Sequence, residues 1–331
     1  NILRALETIN YHQNNSYGLD EHCDNARDKI QESLENYGVD IHFITGGTLT
    51  NLTFLSHALR PYEAVISADT GHINTHETGA IEASGHKVLS IPCTDGKLTA
   101  DLIRPVLKQH ENEHWVEPRL VYISLPTELG TVYTKEELEK LYQFCKRHNL
   151  YLYIDGARLA MALAVEETQL TLKDLPDLCD AFYIGGTKNG AMFGEALILV
   201  NDDLKDHFRF NMKQRGAILA KGWMIGVQFE ELFQDNLYLE LGKRSVALAQ
   251  RLKQGFIDCK IPFLCDSPTN QLFPIFPNEF AKKINENYVT TFQCKPDENH
   301  TCLRFCTSWA TNEQAVEDFI KDLKQWSYIY A

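Results

Sequence analysis

The sequence predicts an α/β protein with a mainly parallel central sheet, covered by helices, and a smaller C-terminal α+β domain. Three observations predict this class. Short apolar runs alternate with amphipathic helical segments. Several of the runs are apolar enough to be buried on both faces, as strands of parallel sheets are. The pattern changes near residue 240, where short strands and longer helices take over.

The predicted strands of the large sheet are short runs rich in β-branched and aromatic residues. Helical patterns lie between them, and strands that alternate with amphipathic helices imply a mainly parallel sheet. In chain order the strands are IHFIT (41–45), AVISA (64–68), KVLSIP (87–92), RLVYISL (119–125), LYLYID (150–155) and DAFYIG (180–185).

Helical periodicity is clearest in TKEELEKLYQFCKRH (134–148), between two of these strands. Thr134 and Glu137 have the spacing of a capping box, in which each side chain binds the other residue's backbone N–H. One face of this helix carries the apolar residues Leu138, Leu141, Tyr142 and Cys145.

The C-terminal part contains a helical segment at 244–256, strand-like runs at 270–276 and 301–308, and a last helix that Thr311 and Gln314 are expected to cap. The stripe of this last helix consists of Val316, Phe319, Ile320 and Leu323. We therefore predict an N-terminal arm (1–30), a large domain (31–240) and a small domain (241–331). Because the sequence starts at Asn1 without methionine, we expect the native chain to begin earlier.

Composition and charge exclude several classes of function. A net charge of −13 argues against a broad surface for nucleic acid or an anionic membrane, since either requires a basic patch. No signal peptide and no apolar run of membrane-spanning length is found. The nine cysteines form no C-x-x-C pair, which indicates reduced thiols in the cytoplasm and neither a disulfide framework nor a metal site.

Chemistry in such sheets gathers at the carboxyl ends of the strands. The first candidate segment there is IHFITGGTLTN, in which Gly46, Gly47 and Thr48 separate a strand from a helix expected to begin near Thr50. Glycines allow the backbone to approach an anion, and the N–H groups of the helix can bind it. The segment matches neither G-x-G-x-x-G nor a Walker loop, so a nucleotide site is not indicated. A plain turn is the alternative.

Two further segments bring opposite charges to strand ends. Asp155 ends a strongly apolar strand, and Arg158 follows three residues later. A partly buried carboxylate requires a cationic partner, so a local Asp155–Arg158 pair is one interpretation. Lys188 follows the next strand, at a spacing that suits one strand-helix-strand unit. An amine, a carboxylate and an anion cradle together suit pyridoxal 5′-phosphate, which needs one of each.

Five segments of the sequence resemble a known family. GGTLTN, GHINTHETGA, IDGARL, GGTKNGAMFGEA and LRFCTSWAT resemble, in order and over nearly the whole chain, motifs of the threonine aldolases. These belong, with the β-eliminating lyases, to the fold-type I pyridoxal phosphate enzymes. The resemblance implies this fold, this cofactor and retro-aldol cleavage of a β-hydroxy amino acid such as L-threonine or L-allo-threonine. It also implies low substrate specificity.

The resemblance also implies a role for each matching residue. Lys188 would form the Schiff base with the cofactor, and Asp155 would pair with its pyridine nitrogen. Arg304 would bind the substrate carboxylate, and Arg158 would lie beside it or beside the phenolate oxygen. His72 would stack on the pyridine ring of the cofactor. Gly46, Gly47 and Thr48 would bind its phosphate, and Thr187 would be a further cofactor contact.

The sequence departs from the family where the β-hydroxyl would bind. Many members carry a histidine in an ENTHN-like segment, but the matching stretch here is SLPTELG, with Glu128 at that place. Glu128 could be the base, directly or through water, or could bind another polar substrate group. His72 and His76 are other candidates, although a single histidine is more often structural.

Members of this fold build their sites across a dimer interface, so a homodimer or homotetramer is expected. Arg215 or Lys221 could then reach the neighbouring subunit's phosphate; solvated surface charge is the alternative for each. Two other functions stay open on the sequence: a pyridoxal phosphate-dependent β-eliminating lyase or racemase, and a cofactor-binding regulatory protein without turnover.

Overall fold

A computed structural model describes residues 1–330 of the 331-residue chain. Within these residues the helices are α1 Ile2–Ile9, α2 Glu21–Leu34, α3 Gly47–Ala58, α4 His72–Thr75, α5 Ala80–Ala83, α6 Ala100–Gln109, α7 Lys135–Arg147, α8 Leu159–Leu163, α9 Phe208–Gln214, α10 Trp223–Leu232, α11 Leu237–Asp258, α12 Asn278–Asn287 and α13 Glu313–Tyr330. The strands are β1 Asp40–Ile44, β2 Glu63–Ala68, β3 Val88–Ile91, β4 Glu117–Ser124, β5 Tyr151–Asp155, β6 Ala181–Gly185, β7 Glu195–Leu199, β8 Gln271–Leu272, β9 Ile275–Pro277, β10 Thr291–Cys294 and β11 His300–Cys306. Short 3-10 turns cover Glu166–Thr168, Leu172–Asp177 and Asp202–Leu204. None of the described helices combines the length and the apolar character needed to cross a membrane.

The large sheet has seven strands in the order β1-β7-β6-β5-β4-β2-β3. The pairs from β6 through β5, β4 and β2 to β3 are parallel, while β7 runs antiparallel to both β6 and β1. The predicted mainly parallel α/β sheet is confirmed. Strand β7 was not among the predicted strands; it is buried along its whole length and returns directly after a turn instead of through a helix.

Strand register brings the ends of the central strands to one rim. Ser124 of β4 is the partner of Asp155 of β5, and both strands end at these residues. The next strand in the sheet, β6, ends at Gly185, three residues before Lys188. The polar residues that follow the strands therefore gather on one edge, as parallel pairing requires.

Helix ends differ from expectation in two places. Helix α3 begins at Gly47, not near Thr50, because Gly46 takes an extended conformation and acts as the N-cap. Helix α13 begins at Glu313, so Thr311 lies outside it; the side chain of Asn312 accepts the backbone N–H of Gln314 instead (2.8 Å). The predicted capping box of Thr134 and Glu137 is confirmed.

The C-terminal strands form a second, antiparallel sheet around β11, which pairs with β10, β8 and β9. Its core is aromatic: the Phe256 ring has the rings of Phe276, Phe305 and Phe319 within 6 Å of its centroid. Val316, Phe319 and Leu323 of the predicted α13 stripe are buried against this core. The predicted boundary at residue 240 falls in the first turns of α11, and the division into domains stays a prediction.

Candidate active site

A pocket of about 330 Å³ opens at the carboxyl-end rim of the large sheet. It collects almost every residue that the sequence motifs indicated for the cofactor. Those that line it are Gly46, Gly47, Thr48, His72, Glu128, Asp155, Arg158, Thr187 and Lys188. The pocket therefore joins segments that lie up to 150 positions apart in the chain, from Thr45 to Glu195.

The start of α3 forms one wall of this pocket. Gly46 is the N-cap, and its carbonyl accepts the backbone N–H of Thr50 (3.0 Å), which is the first hydrogen bond of the helix. The backbone N–H groups before Thr50 in this first turn therefore have no partner within the helix. A Cβ at Gly46 would have no atom within 4 Å, which leaves this backbone open. At the start of a three-turn helix, these groups can bind an anion such as a phosphate.

Asp155 is buried at the end of β5 and is held by three donors. The Tyr122 hydroxyl (2.6 Å) and the Asn51 amide (3.1 Å) donate to Oδ2, and the Ala157 backbone N–H (3.0 Å) donates to Oδ1. Arg158 forms no ion pair with it among the described residues, so the local Asp155–Arg158 pair considered from the sequence is not formed. Hydrogen bonding of this kind fixes the carboxylate in place beside the pocket.

Lys188 lies in the turn between β6 and β7 and lines the pocket. Burial by the surrounding protein, and then the nearby Arg158 cation, lower the pKa of the Lys188 amine. The turn closes tightly at Gly194, which has a φ of +116° and would place a Cβ 2.7 Å from Ile225 Cγ2. A lowered pKa favours the unprotonated amine, which is the form that attacks an aldehyde.

Glu195, the first residue of β7, is a pocket residue that was not predicted from the sequence. Its side chain is buried and accepts the Gly186 backbone N–H (2.9 Å). Burial raises the pKa of the Glu195 carboxyl to about 7, against the hydrogen bonds from Thr187 and Gly186 that lower it. The signal was its place inside the GGTKNGAMFGEA segment, one residue after the glycine that turns the chain.

Glu128 reaches the pocket from the loop after β4. Its Oε1 accepts the Ser124 hydroxyl (2.6 Å) and the backbone N–H of His72 (2.8 Å). Burial raises the pKa of this carboxyl to about 6, opposed by the Ser124 hydrogen bond. Glu128 is thus ionised at neutral pH but has a pKa close to it, which suits a group that takes up and returns a proton.

Arg304 lies on β11, near the pocket but outside its walls. Its Nε is buried and has no hydrogen-bond partner, and burial, followed by the Arg158 cation, lowers the pKa of its guanidinium. Arg158 thus lies close enough to both Lys188 and Arg304 to affect each. The charged groups of Lys188, Arg158 and Arg304 therefore lie close together, and none of them forms an ion pair or a hydrogen bond among the described residues. The resulting positive potential favours the binding of anions.

Arg215 and Lys221 lie in the segment that joins α9 to α10, away from the pocket walls. The Nε of Arg215 is buried without a hydrogen-bond partner, and Lys221 is exposed. Neither contributes to the pocket of its own chain.

These residues fit pyridoxal 5′-phosphate. The cofactor needs an amine, a carboxylate fixed deep in the site and donors for its phosphate, and Lys188, Asp155 and the start of α3 offer these in one pocket. Acidic side chains in a pocket could also suit a metal, but no group of three or more possible metal ligands is found among residues 1–330. The unpartnered Arg304 and Arg158 leave two cations for a substrate carboxylate.

Comparison with known proteins agrees with this description. The model of a family described as beta-eliminating lyase matches residues 3–276. A low specificity L-threonine aldolase of Pseudomonas sp. (strain NCIMB 10558) is 31% identical over 332 residues, which cover 97% of this chain and 92% of that protein.

Solved structures extend the comparison. The threonine aldolase of Leishmania major has a TM-score of 0.97 and 50% identity, covering 98% of this chain and 95% of that one. An aminotransferase from Staphylococcus aureus shares the fold, with a TM-score of 0.72 at 11% identity over 100% of this chain and 90% of that one. With the motifs in order along the chain, a matching family model and this fold, the chain belongs to the beta-eliminating lyase family of fold-type I pyridoxal phosphate enzymes.

Proposed function

We propose that this protein is a pyridoxal phosphate-dependent carbon–carbon lyase that cleaves β-hydroxy amino acids. Its reaction is the conversion of L-threonine or L-allo-threonine to glycine and acetaldehyde. The observation that carries the proposal is that Lys188 and the buried Asp155 line the same pocket. Lys188 has a lowered pKa and no ion-pair partner among the described residues. Relatives at 31% and 50% identity that are named threonine aldolases support the same reaction.

The cofactor would be held at three places. Lys188 would bind its aldehyde carbon covalently, Asp155 would face its pyridine nitrogen, and the first N–H groups of α3 would bind its phosphate. When bound, pyridoxal phosphate supplies an electron sink for the electron pair released at Cα. Thr187, whose hydroxyl accepts the Gly194 N–H (3.1 Å), would keep the Lys188 turn closed.

Substrate orientation falls to the two arginines. Arg304 and Arg158 would bind the substrate carboxylate, and a guanidinium does so with two parallel hydrogen bonds. Fixing the carboxylate decides which bond at Cα can break, because the position of the remaining substituents follows from it. The buried Nε of Arg304, which lacks a partner among the described residues, supports this assignment.

The proton of the β-hydroxyl must leave as the Cα–Cβ bond breaks. We assign its acceptance to Glu128, which lines the pocket and is held by Ser124 and by the His72 N–H. Once the aldehyde has formed, the same carboxyl would return this proton to Cα, so that glycine is released and Glu128 is ionised again. His72 would pack its ring on the flat face of the cofactor.

The same pocket chemistry would also serve β-elimination or racemisation, in which a Cα–H bond breaks first. Product analysis of pyridoxal phosphate-loaded protein with L-threonine, L-allo-threonine and L-serine, each alone, separates these reactions. Glycine with acetaldehyde from either threonine isomer is the expected result. A 2-oxo acid with ammonia would move the protein to the eliminating lyases, inverted amino acid would indicate a racemase, and no product with firmly bound cofactor would favour a regulatory role.

We also propose that the site is completed in a homo-oligomer, with Arg215 or Lys221 directed to the cofactor phosphate of the neighbouring subunit. The buried Arg215 Nε without a partner supports this assignment, as do the exposed apolar side chains Leu3, Leu19 and Phe210. Mixing inactive K188A and R215A subunits tests it, because a hybrid dimer would contain one intact site. Unchanged inactivity after subunit exchange would contradict a shared site. A cytoplasmic location, consistent with nine unpaired cysteines among the described residues, is part of the same proposal.

A further inference from the structure

Glu77 is a buried carboxyl beside the pocket that has no role in the reaction steps assigned to the other residues. Its side chain has no exposed surface, and its Oε1 lies 2.8 Å from His72 Nδ1 and accepts the Asn51 amide (2.7 Å). Its Oε2 is buried without any partner among the described residues. Burying a carboxyl costs free energy unless it is well paired, so a carboxyl kept here with one oxygen unsatisfied requires a reason.

Asn51 joins Glu77 to the carboxyl that would face the cofactor. Its amide nitrogen donates both to Glu77 Oε1 and to Asp155 Oδ2, and its carbonyl oxygen accepts the Tyr153 hydroxyl (3.0 Å). Both N–H groups and the carbonyl of this side chain are therefore used. Asn51 cannot rotate without breaking one of the three bonds, so the positions of Glu77 and Asp155 are coupled.

Glu77 also decides which nitrogen of His72 carries a proton. With a carboxyl oxygen at 2.8 Å, Nδ1 is the donor, and Nε2 is the nitrogen left for the pocket that His72 lines. The charged groups around this ring oppose one another. Glu77, Asp155 and Glu128 favour its cationic form, while Lys188 and the stacked His76 ring, 5.4 Å away, disfavour it.

The hydrogen bond to Glu77 has the largest effect on the pKa of His72. It raises the pKa of His72 against the burial that lowers it. Since a neutral ring and a cationic ring both keep a proton on Nδ1, the bond to Glu77 survives in both states. The orientation of the ring is then fixed across the pH range in which the charge changes.

We propose that Glu77 is a positioning residue of the threonine-cleaving site: it fixes the ring of His72 through Nδ1 and the carboxyl of Asp155 through Asn51. The inference rests on the proposed function, which it deepens by naming what holds two cofactor-facing groups in place. Glu77 itself touches neither the cofactor nor the substrate in this role. It acts only through its two partners.

Substitution by glutamine separates charge from shape. E77Q keeps the size and one acceptor oxygen, removes the charge and replaces the second oxygen by an NH2 group, whereas E77D keeps the charge and withdraws it from His72 and Asn51. E82Q is the matched control, because Glu82 is exposed on α5, five residues further on, and its side chain has no hydrogen bond or ion pair among the described residues.

The first readout does not require turnover. The ring nitrogens of His72 are titrated by NMR in cofactor-free protein with ¹⁵N-labelled histidine, and H72Q identifies the signal. We expect the His72 pKa to fall in E77Q and in E77D and to stay at the wild-type value in E82Q. A wild-type titration of His72 in both Glu77 variants would overturn the proposal.

The second readout uses the loaded enzyme. In E77Q we expect kcat for threonine cleavage to fall about 10- to 100-fold, a range typical of residues that orient a functional histidine, with a small change in KM. The bound cofactor's absorbance should titrate at a different pH from that of the wild type. Wild-type kcat with a wild-type absorbance titration would count against the proposal.

The two proposals fail in different ways. If the wild type releases no glycine from threonine, the proposed function is wrong, and the NMR titration still tests the Glu77–His72 coupling. If E77Q loses kcat and thermal stability together while its His72 titration is unchanged, Glu77 has a purely structural role and the positioning role is rejected. E77D tests the same points should E77Q not fold.

Discussion

Two clefts open at opposite ends of the same sheet, and the larger is not the one with the chemistry. The amino-end cleft, of about 450 Å³, is lined by His57, Arg60, Tyr62, Glu63, Glu117, Arg119, Asn149, Tyr151 and Asp203 with adjoining apolar residues. The candidate active site at the carboxyl ends measures about 330 Å³. Cleft size therefore does not identify the functional end of this sheet.

The difference lies in how the charges are used. In the amino-end cleft, the Glu63 carboxyl accepts the Arg60 backbone N–H (2.7 Å), and the Arg119 guanidinium stacks 4.3 Å from the Tyr151 ring centroid. In the active site, the charged side chains of Lys188 and Arg158 form no hydrogen bond or ion pair among residues 1–330. Charges satisfied within the protein stabilise the fold, whereas charges left without partners in a pocket are available to a ligand.

Replacing the central cation of each cleft should give the largest contrast. K188A is expected to lose covalent cofactor binding and to lower kcat/KM by more than about 10³-fold, because no other amine lines the pocket in the part of the chain that the structure describes. R119A should stay within about twofold of the wild type. Cofactor absorbance and glycine release measure both, and near-wild-type turnover by K188A would refute the assignment of this lysine.

Glu128 gives the next largest effect and a test by pH. E128Q should lower kcat/KM by about 10² to 10⁴-fold, the usual contribution of a positioned base. Only the ionised carboxyl accepts a proton, and burial raises its pKa to about 6, so wild-type activity should fall as the pH drops through about 6. This acidic limb should be missing from the E128Q profile of kcat/KM. A limb that persists unchanged in E128Q would assign it to another group.

Arg304 should affect substrate binding more than chemistry. R304A removes a charge-assisted bond to the substrate carboxylate, worth about 1.5 to 3 kcal/mol, and should raise KM for threonine roughly 10- to 150-fold. R304K should recover only part of this loss, since lysine cannot form two parallel bonds. Unchanged KM in R304A, measured by steady-state kinetics, would show that the carboxylate binds elsewhere.

The smallest effect is expected in the amino-end cleft. E63A removes the carboxylate that accepts the Arg60 N–H, a charge-assisted bond worth about 1.5 to 3 kcal/mol, and should lower the midpoint of thermal unfolding by about 2 to 4 °C. Its kcat/KM should equal that of the wild type. A large loss of activity in E63A would break the distinction between the two clefts.

The sequence by itself determined the class of the fold and the placement of the main groups. The apolar runs that end at Asp155 and just before Lys188 indicate two strands and the position of their carboxyl ends. They can be recognised because a strand that is buried on both faces is apolar at nearly every position. Parallel pairing then brings these ends to one rim. The motifs around the same residues indicated the cofactor. The capping box of Thr134 and Glu137 was likewise readable, since its two residues lie three positions apart.

Only the tertiary structure decided the direction of β7, the burial of Glu195 and the network that joins Glu77, Asn51 and Asp155. Asn51 is 26 positions from Glu77 and 104 from Asp155, yet one amide nitrogen binds both carboxyls. No local pattern reports such a contact, because it depends on how α3 and the turn after α4 pack against β5. The pKa shifts of Glu128 and Glu195 have the same origin, since burial, which causes both, is a property of the folded chain.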